Sequence, residues 1–233
     1  MTIYIADIDG TLTPPRQPID KSFLAFLEKW QEDKCFILAT GSKYDMIDAQ
    51  LLGRANQFKV FCCSGNSFYC KGNLEFSNPD VEWDANLISF VQSEIDKSTY
   101  PKFGNHIEYR QSAMNISYVG RNCDQKERNK YFKFDKKNGQ REKLANELNT
   151  RFPKYQVSIG GQISLDVTPV GLGKEQIPKE LKNLGIRCDE SETIVFFGDR
   201  IVEGGNDYEL AKLANVAFNV ESYEETMYIM ERI

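Results

Sequence analysis

The chain has a single histidine, His106, among its 233 residues. That scarcity excludes a mechanism built on a histidine dyad and a metal centre with several imidazole ligands. Long hydrophobic runs are missing too, and no stretch reaches the length of a membrane span. The first residues show no basic region followed by an apolar one, so no secretory leader is expected. No long basic run accompanies the net charge of -5, which disfavours nucleic acid as a partner. The six cysteines (Cys35, Cys62, Cys63, Cys70, Cys123 and Cys188) form no C-x-x-C pair. Adjacent Cys62 and Cys63 suit neither a zinc site nor a simple disulfide. Buried free thiols in a reducing cytoplasm are the expectation.

What is present is the make-up of a soluble globular protein, 41% hydrophobic and 27% charged, so the informative signals are local. Ile3–Ala6, Cys35–Ala39 and Val60–Cys63 are short apolar runs separated by helical patterns, which predicts a parallel sheet buried on both faces. Asp20 is placed to cap the first helix, with Phe23, Leu24, Phe26, Leu27 and Trp30 on its apolar side. From about Cys70 the texture changes to a hairpin around Lys71-Gly72-Asn73, then helices and strands in an order that suggests an α+β insert. The α/β texture returns near Lys174, with a strand at Thr193–Phe197. The reading is a discontinuous core, 1–71 and 172–233, with an insert at 72–171.

The chemistry gathers where apolar strands end, the place where open α/β sheets bind ligands. Asp7 and Asp9 follow the first strand, Thr40-Gly41-Ser42 the second, and Gly198-Asp199 a later one; Lys174 opens the helix after the insert. In an extended strand Asp7 and Asp9 would share a face and perturb each other's titration. Thr40-Gly41-Ser42 is read as opening a helix through about Leu52, and a hydroxyl-and-glycine turn at a helix N-terminus offers free N–H groups to a phosphate. Lys174 can neutralise a nucleophile and phosphate oxygens, and Asp7 with Asp199 can share Mg2+. Together these make a phosphoryl-transfer set. Ordinary explanations stand beside it. Arg110 can simply pair with Glu108 or another surface acid, Gly160-Gly161 can be only a hairpin turn, Asn206 and Asp207 can be helix caps, and His106 is read as a structural or surface histidine.

These segments, in this order, resemble the haloacid dehalogenase superfamily, and within it the eukaryotic-type phosphomannomutases. The likeness lies in stretch 7–17 (Asp-Ile-Asp-Gly-Thr-Leu-Thr-Pro-Pro-Arg-Gln) and stretch 120–128 (Gly-Arg-Asn-Cys-Asp-Gln-Lys-Glu-Arg). It continues in stretch 158–167 (Ser-Ile-Gly-Gly-Gln-Ile-Ser-Leu-Asp-Val) and in Phe196–Leu210 around Gly198-Asp199 and Asn206-Asp207. It implies an α/β, Rossmann-like core with a parallel sheet and an inserted α+β cap with an antiparallel sheet. It also implies that Asp7 is the nucleophile and Asp9 the acid–base, with Thr40, Gly41, Ser42 and Lys174 holding the phosphoryl group. Mg2+ would lie among Asp7, Asp9 (by its carbonyl), Asp199, Asn206 and Asp207. Arg16, Arg110, Arg121, Arg128, Ser164 and Asp166 would grip a phosphosugar.

The activity so implied is interconversion of mannose 6-phosphate and mannose 1-phosphate, with a hexose 1,6-bisphosphate as activator. A homodimer through the cap is implied as well, and Trp83, Leu87 and Phe90 are read as exposed apolar residues that contribute to it. Two departures point toward the alternative, a sugar-phosphate phosphatase with the same nucleophile. Thr40 stands where the mutases typically carry glycine, and the segment Leu210–Val216 is short where they carry a longer, cation-binding loop.

Overall fold

In the computed structural model residues 2–186 and 192–233 are described; Cys188, among the expected buried thiols, lies outside them. The first stretch contains β1 (Thr2–Ala6), α1 (Lys21–Trp30), β2 (Cys35–Ala39), α2 (Tyr44–Gln50), β3 (Lys59–Cys62), β4 (Ser67–Cys70) and β5 (Asn73–Ser77). The middle contains α3 (Ala85–Lys97), β6 (Ile107–Arg110), β7 (Ala113–Ile116), α4 (Gln125–Asn138), α5 (Gln140–Arg151), β8 (Tyr155–Gly160) and β9 (Ser164–Pro169). The last stretch contains α6 (Ile177–Asn183), β10 (Thr193–Gly198), α7 (Tyr208–Leu213), β11 (Val216–Asn219) and α8 (Tyr223–Met230).

Two compact units result, Met1–Asn78 with Gly171–Ile233, and Pro79–Val170. The first is built on a seven-stranded sheet of order β11-β10-β1-β2-β3-β4-β5. Its strands from β11 to β3 are parallel, and the β4–β5 hairpin extends the sheet antiparallel from β3. The expected boundary at 71/72 therefore falls inside a hairpin of this sheet, and the chain leaves the unit only after Asn78.

Burial on both faces explains the apolar runs. Ile3, Ile5, Ile37, Phe61 and Phe196 pack on one side with Ile177, Leu181 and Leu210. On the other side Ala6, Phe36, Leu38, Val60 and Phe197 pack with Phe23, Leu27 and Trp30. At about 2 kcal/mol per fully buried large side chain, these two layers fix where the strands end. Asp20 caps α1 as expected, accepting bonds from the Ser22 and Phe23 amides at 2.8 and 3.1 Å.

The second unit is a four-stranded antiparallel sheet of order β6-β7-β9-β8 with α3, α4 and α5. Leu87, Val91 and Ile95 of α3, at helical spacing, are buried with Met114, Tyr131, Leu148 and Leu165. Leu87 is thus a core residue rather than an exposed one. Trp83 and Phe90 are half-buried, packed on Tyr155 and Phe152 at ring separations of 5.4 and 6.0 Å. No helix among the described residues is long and apolar enough to cross a membrane. Cys35, Cys62, Cys63, Cys70 and Cys123 are free thiols.

Candidate active site

In the first unit β1, β2 and β10 end in step, because Ala6 is in register with both Leu38 and Phe197. Asp7 continues β1 only through its amide, which donates to the Phe197 carbonyl at 2.9 Å. The strand then stops and the chain bends, so the two acids do not share a strand face. Asp7, 5% exposed, turns to Lys174, whose Nζ lies 2.5 Å from its Oδ1 and 2.6 Å from Oδ1 of Asp207. The Asp9 carboxylate faces elsewhere. Its Oδ1 accepts the Arg16 amide at 2.6 Å and the Gln50 Nε2 at 3.0 Å, and the Arg16 Nε lies 3.8 Å from its Oδ2.

Gly10 explains why the turn after Asp9 needs glycine. Its φ is +96°, and a Cβ there would lie 2.6 Å from Asp199 Oδ2. The first loop can approach Asp199 only without a side chain at that position.

Carboxylate oxygens of Asp7, Asp199 and Asp207 lie within 4.8 Å of one another. Asp7 and Asp207 bond the Lys174 ammonium and Asp199 Oδ2 lies 3.5 Å from Arg200 Nε, so three acids share two cations, and the imbalance appears in their titration. Burial, then the nearby Asp207 and Asp199 charges, hold the Asp7 carboxyl well above the usual range despite Lys174. Burial and Asp207 push Asp199 up to about 7. Burial alone would lower Lys174, but Asp207 and Asp7 outweigh it and hold the ammonium above its ordinary value. The like charges that perturb Asp7 thus come from a distant segment rather than from Asp9. A hard divalent cation fits this donor set, since all the candidate ligands are oxygens and the acids carry uncompensated charge. Asp207 is not an ordinary helix cap: its side chain bonds no amide of the first turn of α7 and takes Lys174 and the Arg200 amide instead.

Thr40-Gly41-Ser42 follows β2, but α2 begins only at Tyr44, so the turn precedes the helix rather than opening it. Thr40 Oγ1 accepts the Ser42 amide at 3.1 Å, while the Thr40 and Ser42 carbonyls accept the Ser64 and Cys63 amides. Both side chains are buried.

In the second unit, Arg110 closes β6 and Arg121 follows β7. Glu108 receives both. Its Oε2 lies 3.2 Å from Arg110 Nη2 and 3.0 Å from Arg121 Nε. Arg121 Nη1 donates to Ser164 Oγ at 2.9 Å, and Arg110 Nη1 lies 3.9 Å from Asp166 Oδ1. Four of the six residues assigned to phosphosugar binding therefore form one cluster. Arg128 is buried on α4 of the same unit, and Arg16 belongs to the Asp9 loop of the other.

Gly160 does more than make a turn. A Cβ on it would collide with the Asp166 carboxylate, so glycine is what lets Asp166 take its place. The hairpin tip is held by Arg141 at the start of α5, whose Nη1 lies 3.1–3.3 Å from the carbonyls of Gly160, Gly161 and Ser164. Asp135 fixes that arginine through its Nε at 2.7 Å. His106 is structural as expected, its Nδ1 2.8 Å from the Ser117 carbonyl.

Sequence reasoning missed Gln50, Asn115, Asp135 and Arg141. Each meets its partner through the fold, and only the Asp135–Arg141 spacing across a helix corner left a local signal.

The chain matches the family model described as eukaryotic phosphomannomutase over residues 23–233. A probable phosphomannomutase of Caenorhabditis elegans is 34% identical over 247 residues, covering 100% of this chain and 95% of the relative. A phosphomannomutase of Encephalitozoon cuniculi is 35% identical over 221 residues, covering 90% and 84%. Among solved structures, a haloacid dehalogenase-like hydrolase from Bacteroides thetaiotaomicron is similar at a TM-score of 0.60 and 17% identity. That match covers 99% of this chain and 98% of the other, and is a likeness of fold alone.

Proposed function

This chain belongs to the eukaryotic phosphomannomutase family, and from that premise we propose that it interconverts mannose 6-phosphate and mannose 1-phosphate through a phospho-enzyme and a hexose bisphosphate. Asp7 is the nucleophile: its carboxylate oxygen attacks the phosphorus of the bisphosphate, and the bond from phosphorus to the sugar oxygen breaks. Asp9, held by Gln50 and the Arg16 amide, gives its proton to that leaving oxygen. In the return step Asp9 takes the proton of the other sugar monophosphate's hydroxyl, whose oxygen attacks phospho-Asp7. Lys174 neutralises Asp7 and the transferring oxygens, and Thr40 and Ser42 shape the turn beside them. Mg2+, held by Asp7, Asp199 and Asp207 with the Asp9 carbonyl and Asn206, would supply charge stabilisation to the phosphoryl oxygens.

The observation that carries this reading is the pairing of Arg110 and Arg121 beside Ser164 and Asp166. Planar, permanently charged forks suit the distal phosphate of a phosphosugar, and Asp166 suits its hydroxyls. Discharge of phospho-Asp7 to water requires no second phosphate grip. That hydrolytic reading is favoured only by Thr40 and the short Leu210–Val216 segment.

Arg110→Ala and Arg121→Ala are expected to raise KM for mannose 1-phosphate about 10- to 100-fold each, the worth of a charge-assisted contact. Phosphorylation of Asp7 by acetyl phosphate, which has no distal phosphate, is expected to stay at the wild-type rate. Equal losses with both phosphoryl donors would contradict the assignment.

A further inference from the structure

We infer that Glu108 is a counter-charge that limits how tightly the Arg110–Arg121 pair holds a phosphate, so that the bisphosphate intermediate can let go and turn round; the inference rests on the mutase reading above. Glu108 and Arg110 are two apart on β6 and so share a face. The arginine meets the carboxylate side-on, Nε to Oε1 at 3.4 Å and Nη2 to Oε2 at 3.2 Å. Arg121 reaches the same Oε2 with its Nε at 3.0 Å. One carboxylate oxygen therefore bonds both guanidiniums.

The setting makes that charge count. The Arg110 and Arg121 side chains are 3% and 9% exposed and Glu108 is 18% exposed, so solvent screens the cluster weakly. Asp166 supplies a second carboxylate, held by Asn115 Nδ2 at 2.7 Å and near Arg110. Both carboxylates thus stand beside the two guanidiniums. A phosphate dianion brought to these arginines meets two like charges as well.

A site selected for grip alone would omit Glu108, since a neutral acceptor braces the forks without repelling the ligand. A mutase has a reason to keep it. The phosphate held distally in one half-reaction must be the one transferred in the next, so it has to be released within every cycle. Affinity spent equally on ground and transition states gives no rate, and it slows a step that depends on release.

Glu108→Gln separates the two roles, because an amide oxygen in the place of Oε2 still accepts from both arginines and carries no charge, giving up only the longer Oε1 bond to Arg110 Nε. Isothermal calorimetry is expected to show glucose 1,6-bisphosphate bound about tenfold more tightly than by wild type. KM for mannose 1-phosphate and kcat are expected to fall together. Glu108→Asp, which keeps the charge, is expected to bind the bisphosphate no more tightly than wild type. Weaker or unchanged binding by Glu108→Gln, or equal tightening in both variants, would overturn the inference. Failure of the wild type to isomerise would instead sink the mutase reading, and the calorimetric comparison would still report on Glu108.

Discussion

Asp7→Asn is expected to lower turnover of hexose phosphates by about 10^4-fold or more, which is about 5 kcal/mol of barrier, with no loss of thermal stability. The loss follows from removing the atom that forms the phospho-enzyme. An amide oxygen is a poor nucleophile at phosphorus, and no other group bonded to Lys174 can substitute, because Asp207 is fully buried and bonded to both Lys174 and the Arg200 amide. Retained stability follows from the charge balance. Asp7, Asp199 and Asp207 lie close together with only Lys174 and Arg200 to balance them, and burial with that crowding already disfavours the ionised form of Asp7. Neutralising one acid relieves repulsion while the Asp207–Lys174 pair remains. Differential scanning calorimetry alongside the rate assay checks both halves. A fall in rate matched by a large fall in Tm would mean that Asp7 is structural.

Chelation of Mg2+ is expected to abolish turnover by about 10^3-fold or more and to be reversed by adding it back. Its affinity should depend on pH in a set direction. Asp199 titrates near its ordinary 3.8 when unfolded and at about 7 when folded, because burial and Asp207 favour the neutral acid. A raised carboxyl pKa destabilises the fold only where the unfolded chain ionises. That penalty is absent below pH 3.8, grows through the interval and is complete above about 7. A bound divalent ion needs the ionised carboxylate and removes the penalty. Between pH 7.5 and 5.5 the apparent Kd for Mg2+ should therefore weaken about 25-fold from the Asp199 proton alone, and further because Asp7, also held above the usual carboxylate range, must ionise with it. Thermal-shift titrations at the two pH values measure this. Equal affinity at both would remove Asp199 from the metal site.

How far the sequence discloses this arrangement depends on the range of each interaction. The strand ends were legible because Ile3–Ala6 and Cys35–Ala39 are apolar on both faces, and acids or hydroxyls follow at once. Asp20 as a cap is equally local. By contrast, the hairpin β4–β5 announces itself by its turn, yet alternation does not say which sheet it joins, and it extends β3. The spacing of Asp7 and Asp9 suggested a shared face, but the strand stops at Ala6 and the acids part, one to Lys174 and one to Gln50.

Lys174 was legible as a site residue, whereas its bond to Asp207, 33 residues later, was not. A capping explanation fitted Asp207 just as well in one dimension. Arg110 and Glu108 could be paired from their strand spacing. That Arg121 joins them depends on the loop after β7, which only the fold brings there. Leu87 shows the same limit in reverse. Its helical spacing to Val91 and Ile95 marks an apolar face without telling whether a core or a partner covers it, and here the core does.

The central claim is that phospho-Asp7 passes its phosphoryl group to a sugar hydroxyl rather than to water. Phosphorus NMR of mannose 1-phosphate, incubated with the protein, Mg2+ and a catalytic trace of glucose 1,6-bisphosphate, tests this most directly. The account predicts growth of the mannose 6-phosphate resonance with total sugar phosphate conserved. Growth of inorganic phosphate with no mannose 6-phosphate would contradict it.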